Sequence, residues 1–172
     1  MNDQIIIVDT HDTPIGLRHY EAIHYGDIYR VTALWLTDKK TGSVLLQQRK
    51  WDKSNDPGKW QCAVSGTVEA GETYEENIVH EIEEEIGLLA LDLHKGPKEY
   101  VDSGKHTFFC QWFLASVDKE TTSITIQESE LESTQWIDRD KLIADVISSP
   151  GKYVPSMMEA METLGVIGGH LQ

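Results

Sequence analysis

The chain has 172 residues, a length that allows one domain with a hydrophobic core and is short for two. Apolar residues make up 40% and charged residues 26%, which excludes the composition of a disordered chain. The net charge of −14 excludes binding of a nucleic-acid polymer through a basic surface, because phosphate neutralisation needs clustered Lys and Arg. We therefore expect a single domain over residues 1–172.

Export and membrane signals are not expected in this sequence. The first apolar run covers only residues 5–8, which is too short for a secretion signal, and no window is apolar for the 18 or so residues that cross a bilayer. The two cysteines, Cys62 and Cys110, are far apart and fit neither a metal-binding spacing nor a disulfide framework. These features predict a cytoplasmic protein without a membrane partner.

Strands are predicted where short apolar, β-prone runs lie between turn-forming residues. In chain order these are residues 5–8, 31–37, 43–48, 61–65, 107–117 and 123–127, with another strand ending near residue 137. The sequence DKKTG between the second and third runs predicts a hairpin. The basic and aromatic segment at residues 49–60 is typical of a loop.

Three helices are predicted, and the first has recognisable ends. Thr73 and Glu76 have the spacing of a capping box, and Gly87 suits a left-handed C-cap, so we expect a helix over residues 74–86. Two more are expected around residues 139–147 and 155–164. Strands mixed with helices favour a sheet covered by helices on both faces.

The helix at residues 74–86 is unusually acidic. At about 100° per residue, Glu81, Glu84 and Glu85 share one face that borders the apolar stripe. Like charges at this spacing repel each other, and no Lys or Arg occurs between Lys59 and Lys95 to offset them. A divalent ion with oxygen ligands, Mg²⁺ or Mn²⁺, would turn this repulsion into coordination.

Residues 66–88 resemble the signature of the Nudix hydrolases, which are also called MutT-like. The signature reads Gly, five residues, Glu, seven residues, Arg-Glu, an aliphatic residue, any residue, Glu-Glu, any residue, Gly and an aliphatic residue. Its positions are filled by Gly66, Glu72, Glu81, Ile82, Glu84, Glu85, Gly87 and Leu88, whereas His80 replaces the arginine. The resemblance implies an α+β fold, an α/β/α sandwich with a mixed sheet, and Mg²⁺- or Mn²⁺-dependent cleavage of a diphosphate linked to another moiety.

The resemblance also implies roles for particular residues. The implied metal ligands are Glu81, Glu84, Glu85 and the backbone carbonyl of Gly66. Glu81, Glu84 and Glu130 are the candidate catalytic residues, and among these Glu81 is preferred over Glu130 as the group that takes a proton from water. Arg49 and Lys53 are candidate contacts for the phosphate oxygens of the substrate, although loop cations can equally serve solubility.

His80 is the departure from the signature. In the family the arginine is expected to hold the loop and the box glutamate, here Glu72. Histidine is shorter and mostly neutral at pH 7, so we expect it to support the loop less firmly. Its place on the helical wheel points away from Glu85, and we do not expect it to bind metal.

Two alternatives to a hydrolase stay open. The flanking residues LLQQRK and PGKW resemble the branch that includes isopentenyl diphosphate isomerase. That isomerase has a cysteine directly before the box glycine and glutamates where this chain has His106 and Phe108; here Ser65 precedes the glycine, and Cys62 is expected on the other side of the strand. The isomerase chemistry therefore looks absent. The other alternative is a non-catalytic module that binds a ligand, which the intact glutamates argue against.

The substrate is expected to be a small diphosphate, such as a nucleoside diphosphate derivative. Several aromatic residues could stack on a base, but each is more typical of packing: Trp35, Trp51, Trp60, Tyr100 and Trp112. The sequence does not decide the substrate.

Overall fold

The computed structural model describes residues 4–168, which form one hydrogen-bonded sheet flanked by helices. The strands are β1 Gln4–Val8, β2 Pro14–His19, β3 Ile28–Asp38, β4 Val44–Arg49, β5 Trp60–Gln61, β6 Val64–Thr67, β7 His94–Asp102, β8 Thr107–Val117 and β9 Leu131–Ile137. The α-helices are α1 Tyr74–Ile86, α2 Arg139–Ser148 and α3 Met157–Thr163. None of these helices is long and apolar enough to cross a bilayer.

Strand β3 is the centre of the sheet. It runs parallel to β8 over its whole length, from the pair Ile28 and Thr107 to the pair Asp38 and Val117. On its other side it pairs antiparallel with β6 and, at its start, with β1. The predicted mixed sheet is therefore confirmed.

Strand β4 turns away from β3 after the predicted hairpin. The two strands share only the pair Thr37 and Val44, after which β4 pairs antiparallel with β9 and β5. The hairpin prediction thus holds at its turn and not along the strands. This divergence opens the sheet beside β6, where α1 approaches.

The two faces of the sheet carry different helices, as the sandwich prediction required. Ile78, Ile82 and Ile86 of α1 are buried in a core that covers one face. Leu142 of α2 and Met161 of α3 are fully buried in a second core on the other face. Burial of each such side chain stabilises the fold by about 1.5–3 kcal/mol, so both layers hold the sheet firmly.

Helix α1 begins and ends where the sequence predicted. The Thr73 side chain accepts a hydrogen bond from the Glu76 amide, and the Glu76 carboxylate accepts one from the Thr73 amide, which completes the capping box. Gly87 adopts the left-handed conformation with φ 68° and ends the helix. The local sequence therefore sets the register of the acidic face.

The predicted strand at residues 123–127 is wrong. This segment is extended but pairs with the end of α1: the amide of Thr125 donates to the carbonyl of Ile86, and the amide of Gln127 donates to that of Glu85. Ile124 and Ile126 pack against the core below α1. Their alternation is that of a strand, but the backbone partner is a helix end.

Strands β2 and β7 were not predicted, because their composition disfavours strands. Strand β7 contains Gly96 and Pro97, and its pairing with β8 shifts between Lys95 and Lys98. Both strands lie at sheet edges and are largely exposed, so neither carries an apolar run.

A cluster of charges ties the β1–β2 connection to the start of α1. Asp12, with φ 62°, accepts hydrogen bonds from Arg30 at 2.7 Å and from Lys98 at 2.5 Å. The hydroxyl of Tyr74 also donates to this carboxylate, and both cations lie over the Tyr74 ring. Since the Asp12 side chain is only 11% exposed, its charge is needed to balance the two cations.

Replacing Asp12 with Asn should destabilise the protein by about 2 kcal/mol, because the largely buried Arg30 guanidinium would lie near Lys98 without an anion. Chemical denaturation of Asp12→Asn and of the control Asp92→Asn, whose side chain is 92% exposed, checks this. Equal stability of the two variants would contradict it.

Candidate active site

The acidic face of α1 meets the sheet at Gly66 of β6. A Cβ atom at this position would lie 2.0 Å from the Cδ and Oε1 atoms of Glu81, far inside contact distance. The φ of Gly66 is not the reason for glycine here, since close approach of the Glu81 carboxyl alone excludes a side chain. Gly66 and Glu81, which are separate positions of the signature, therefore contact each other.

Glu85 is the most buried carboxyl of the site, with 8% exposure. It accepts hydrogen bonds from the amide of Ser65 at 3.2 Å and from Nε2 of Gln47 at 3.3 Å. Burial, followed by the charge of Glu81, raises the pKa of Glu85 to about 8. The carboxyl thus lies in an environment that disfavours its negative charge.

Glu81 lies one turn earlier and is half-buried. Nδ2 of Asn77 donates to its Oε1 at 3.4 Å. Burial, followed by the charge of Glu84, raises the pKa of Glu81 to about 7. Glu84 itself is exposed at the edge of the same face. The three side chains form a gradient from buried to exposed along one face of α1.

The donor set suits a hard divalent cation. Within residues 4–168, no Lys or Arg forms an ion pair with Glu81, Glu84 or Glu85. The buried Oε1 of Gln47 has no hydrogen-bond partner, and its Nε2 bonds to Glu85. The described residues contain no ready-made cluster of three His, Cys, Asp or Glu side chains. Carboxylate and amide oxygens with room for water are typical of Mg²⁺ sites, so the residues fit the ion.

Glu130 lies in the segment before β9. Its charge makes a minor contribution to the raised pKa of Glu85, and its place in the site remains a prediction. Lys53 forms an ion pair with Glu130, and a second pair joins Lys50 to Glu132 at 3.8 Å. The two candidates that the sequence assigned to different roles, Lys53 and Glu130, therefore contact each other.

Arg49 supports the loop at residues 50–59. Its Nε donates to the carbonyl of Asn55 at 3.0 Å, and its Nη1 donates to Oε1 of Gln61 at 3.4 Å. Trp51 covers Gly58, where an added Cβ would lie 2.3 Å from the ring. Arg49 lines the cavity described below, so its role as a phosphate contact remains a prediction.

The loop before α1 is held by two side chains. Nδ1 of His80 lies 2.7 Å from Oε1 of Glu72, and this contact raises the pKa of His80. Oε2 of Glu72 accepts from Nδ2 of Asn77 at 2.9 Å. His80 thus occupies the place expected of the signature arginine. Whether it supports the loop less firmly remains a prediction.

Asn77 is a site residue that sequence reasoning missed. It is 2% exposed and accepts a hydrogen bond from the Thr32 hydroxyl at 2.5 Å, which joins β3 to Glu72 and Glu81. Its position four residues before Glu81 places it on the same face of α1, but the sequence carries no signal for its contact with Thr32.

A cavity of about 380 Å³ borders Gly66 on the α3 side of the sheet. Both Cys62 and Cys110 line it, together with Ser65. The expectation that Cys62 lies on the other side of its strand is not met, because residues 62–63 interrupt β5 and β6 and break the alternation. Burial raises the pKa of the Cys62 thiol to about 12, and Sγ donates to the carbonyl of Val64.

The comparisons with known proteins agree with this geometry. The NUDIX domain family matches residues 28–157, which include the helix, Gly66 and Glu130. The chain belongs to the NUDIX domain family. Nudix hydrolases generally use divalent metal ions, and the acidic face of α1 lies within the matched region.

Relatives within the family have names that indicate different activities. A prenyl-diphosphate phosphatase of Methanosarcina mazei is 33% identical over 159 residues, covering 90% of each chain. An isopentenyl-diphosphate delta-isomerase of Corynebacterium diphtheriae is 26% identical over 175 residues, covering 94% of each. The fold is similar to a crystal structure from Deinococcus radiodurans, with a TM-score of 0.79 and 19% identity over 94% of this chain and 98% of that one.

Adding a methyl group at Gly66 should weaken metal binding, because it displaces the Glu81 carboxyl. We expect Gly66→Ala to lower the affinity for Mn²⁺ by at least about tenfold, measured by calorimetry. Gly16→Ala is the matched control, since nothing lies within 4 Å of that added Cβ. Unchanged Mn²⁺ affinity in Gly66→Ala would separate Gly66 from the site.

Metal-free protein should lose stability as the pH rises. The folded-state pKa values of about 7 for Glu81 and about 8 for Glu85 exceed the ordinary value of 4.5, so the folded state holds protons that the unfolded state releases. The stabilisation is complete below pH 4.5 and is lost as the pH passes through both raised values.

Denaturation of the metal-free protein between about pH 5 and pH 9 measures this loss, which should be on the order of a few kcal/mol. Glu85→Gln should reduce the slope, whereas Glu83→Gln, an exposed change of the same charge, should keep it. Added Mg²⁺ should restore stability at the alkaline end. If Glu85→Gln leaves the pH dependence of stability unaltered, the pKa of Glu85 is not raised in the folded protein.

Proposed function

We propose that the protein is a metal-dependent hydrolase that cleaves the pyrophosphate linkage of a small diphosphate. The observation that carries the proposal is the packing of two carboxyls with raised pKa values, Glu81 and Glu85, beside Gly66 without a cationic partner among residues 4–168. Glu81, Glu84, Glu85 and the Gly66 carbonyl would hold Mg²⁺ or Mn²⁺. When bound, such an ion screens the charge of the diphosphate and lowers the pKa of water.

The protein groups supply proton transfer and orientation. Glu81 has a pKa near neutrality, so it can accept a proton from water and release it again. Asn77 and Gly66 fix the position of its carboxyl. Glu130 is the alternative base, and its ion pair with Lys53 must loosen before either group meets the substrate.

Two classes of substrate fit this chemistry. One is a nucleoside diphosphate derivative, the class expected from the family. The other is a prenyl diphosphate, which is favoured by the name of the M. mazei relative. In either case Arg49 and Lys53 would contact phosphate oxygens, and neither a nucleic-acid polymer nor a membrane is part of the proposal.

The isomerase alternative has one observation in its favour, which is that Cys62 lines the cavity. Against it, the thiol is committed to the Val64 carbonyl, and Ser65 precedes Gly66. We also propose that residues 1–172 act as one catalytic domain in the cytoplasm, which agrees with two free cysteines.

Release of phosphate or pyrophosphate should be tested with Mg²⁺ and Mn²⁺ against nucleoside di- and triphosphates, dinucleotides, ADP-ribose and isoprenoid diphosphates. Glu84→Gln should keep the fold and lose activity by on the order of 100-fold, because a ligand of the ion is removed. Glu83→Gln is the matched control and should stay active, since its side chain points away from the site.

No hydrolysis of any compound in the panel would favour a binding module. Conversion of isopentenyl diphosphate to its allylic isomer would establish the isomerase instead. Full activity of Glu84→Gln would remove Glu84 from the metal site.

A further inference from the structure

The cavity beside Gly66 has a buried apolar wall and an exposed polar rim. The wall includes Ala33, Cys110, Trp112, Met157 and Ala160, each of which is less than a tenth exposed. They come from β3, β8 and the α3 region, so the cavity lies between the sheet and the second helical layer. The rim contains the exposed residues Ser54, Ser103 and Lys105.

Three polar side chains of the wall are already bonded within the protein, whereas no hydrogen bond among the described residues involves the lining hydroxyls of Tyr29, Ser65 and Thr67. The carboxylate of Glu99 accepts from Nε1 of Trp112 at 2.8 Å and from the hydroxyl of Thr163 at 2.7 Å. The Cys62 thiol donates to a backbone carbonyl, and Oε1 of Gln61 accepts from Arg49. A nucleobase packed against the apolar wall residues and these bonded groups would leave its own donors and acceptors unpaired, which a buried site penalises strongly.

The unpartnered buried polar atom in the lining is Nδ1 of His106. His106 lies between the exposed rim residue Lys105 and the first residue of β8, Thr107. A single imidazole nitrogen there can bond one oxygen of a ligand head group. It cannot read the several polar atoms along the edge of a base.

The charges of the lining residues determine which end of a diphosphate substrate enters the cavity. The Glu99 carboxylate in the wall would repel a diphosphate, and the lining cations Arg49 and Lys105 are not buried. Gly66 borders both the cavity and the carboxyl of Glu81. A diphosphate placed at the acidic face of α1 therefore leaves the apolar wall to the group attached to it. About 380 Å³ is the space of roughly a dozen water molecules, which suits a short chain and not a long one.

We propose that this cavity binds the hydrocarbon chain of the substrate, and that the substrate is a diphosphate ester of a short hydrocarbon chain. This inference rests on the proposed function for the position of the diphosphate. The cavity itself is tested without metal and without hydrolysis. Trp112 and Met157 are the specificity-determining residues, since they are the two largest buried side chains among the wall residues named above.

Methyl resonances of the metal-free protein report on occupancy of the cavity. Geraniol should shift the methyl signals of Met157 and Ala160 and leave Ile78 and Ile86, in the other core, unchanged. Adenosine at the same concentration should leave all four unchanged. Equal shifts at Met157 and Ala160 with adenosine, or none with geraniol, would overturn the inference.

Two variants of the wall test chain length. Ala160→Phe should fill the cavity and lower kcat/KM for geranyl diphosphate at least fivefold, mainly through KM, whereas the exposed Ala144→Phe should not. Met157→Ala should raise the preference for farnesyl over geranyl diphosphate at least threefold, because it enlarges the cavity. If Ala160→Phe does not fold, Met157→Ala decides, and an unchanged preference would overturn the inference.

The two proposals fail in different ways. Geraniol shifts without hydrolysis of any diphosphate would support the chain-binding cavity and contradict the hydrolase. Hydrolysis of nucleotides with kcat/KM above that of geranyl diphosphate would support the hydrolase and contradict the cavity assignment. A kcat/KM for geranyl diphosphate at least tenfold above that for ADP-ribose supports both.

Discussion

The site depends on one constraint, which is that the carboxyls of Glu81 and Glu85 are packed beside Gly66 with little access to water. Glu81 and Glu85 lie where water is largely excluded, and the described residues provide amide donors but no Lys or Arg partner for them. Burial of a carboxylate is tolerated only if the group is neutral or if a cation compensates it. The capping box and the left-handed Gly87 fix the helix that maintains this unfavourable arrangement.

The sheet connects the two functional regions through a single strand. Strand β6 meets the acidic face of α1 at Gly66 and also borders the cavity, so one glycine lies between the proposed metal ion and the proposed hydrocarbon. β3 holds β6 on one side and β8, with Trp112, on the other. In the proposed reaction these strands would hold the substrate on both sides of the bond that is cleaved, and such rigid elements favour precise positioning of the reacting groups.

Local signals made the helix and the acidic face predictable, since caps and 3.6-residue spacing act over a few residues. The strand pairing was harder, because β7 is defined by its contact with β8 and not by its own apolar pattern. Residues 123–127 show the opposite case: their apolar residues alternate as in a strand, but their backbone amides bond to the end of α1 and not to another strand. Asn77 and the Lys53–Glu130 pair depend on contacts between distant segments, which one sequence does not reveal.

Because Lys53 is paired with Glu130, the Glu130 carboxylate competes with any incoming anion for this lysine. A phosphate group must offer this lysine more than a carboxylate that is already tethered next to it. If Lys53 contacts the substrate as proposed, a multiply charged phosphate group competes for it better than a singly charged anion, because the tethered partner has a high local concentration. The pair would then favour diphosphates over singly charged anions at this loop.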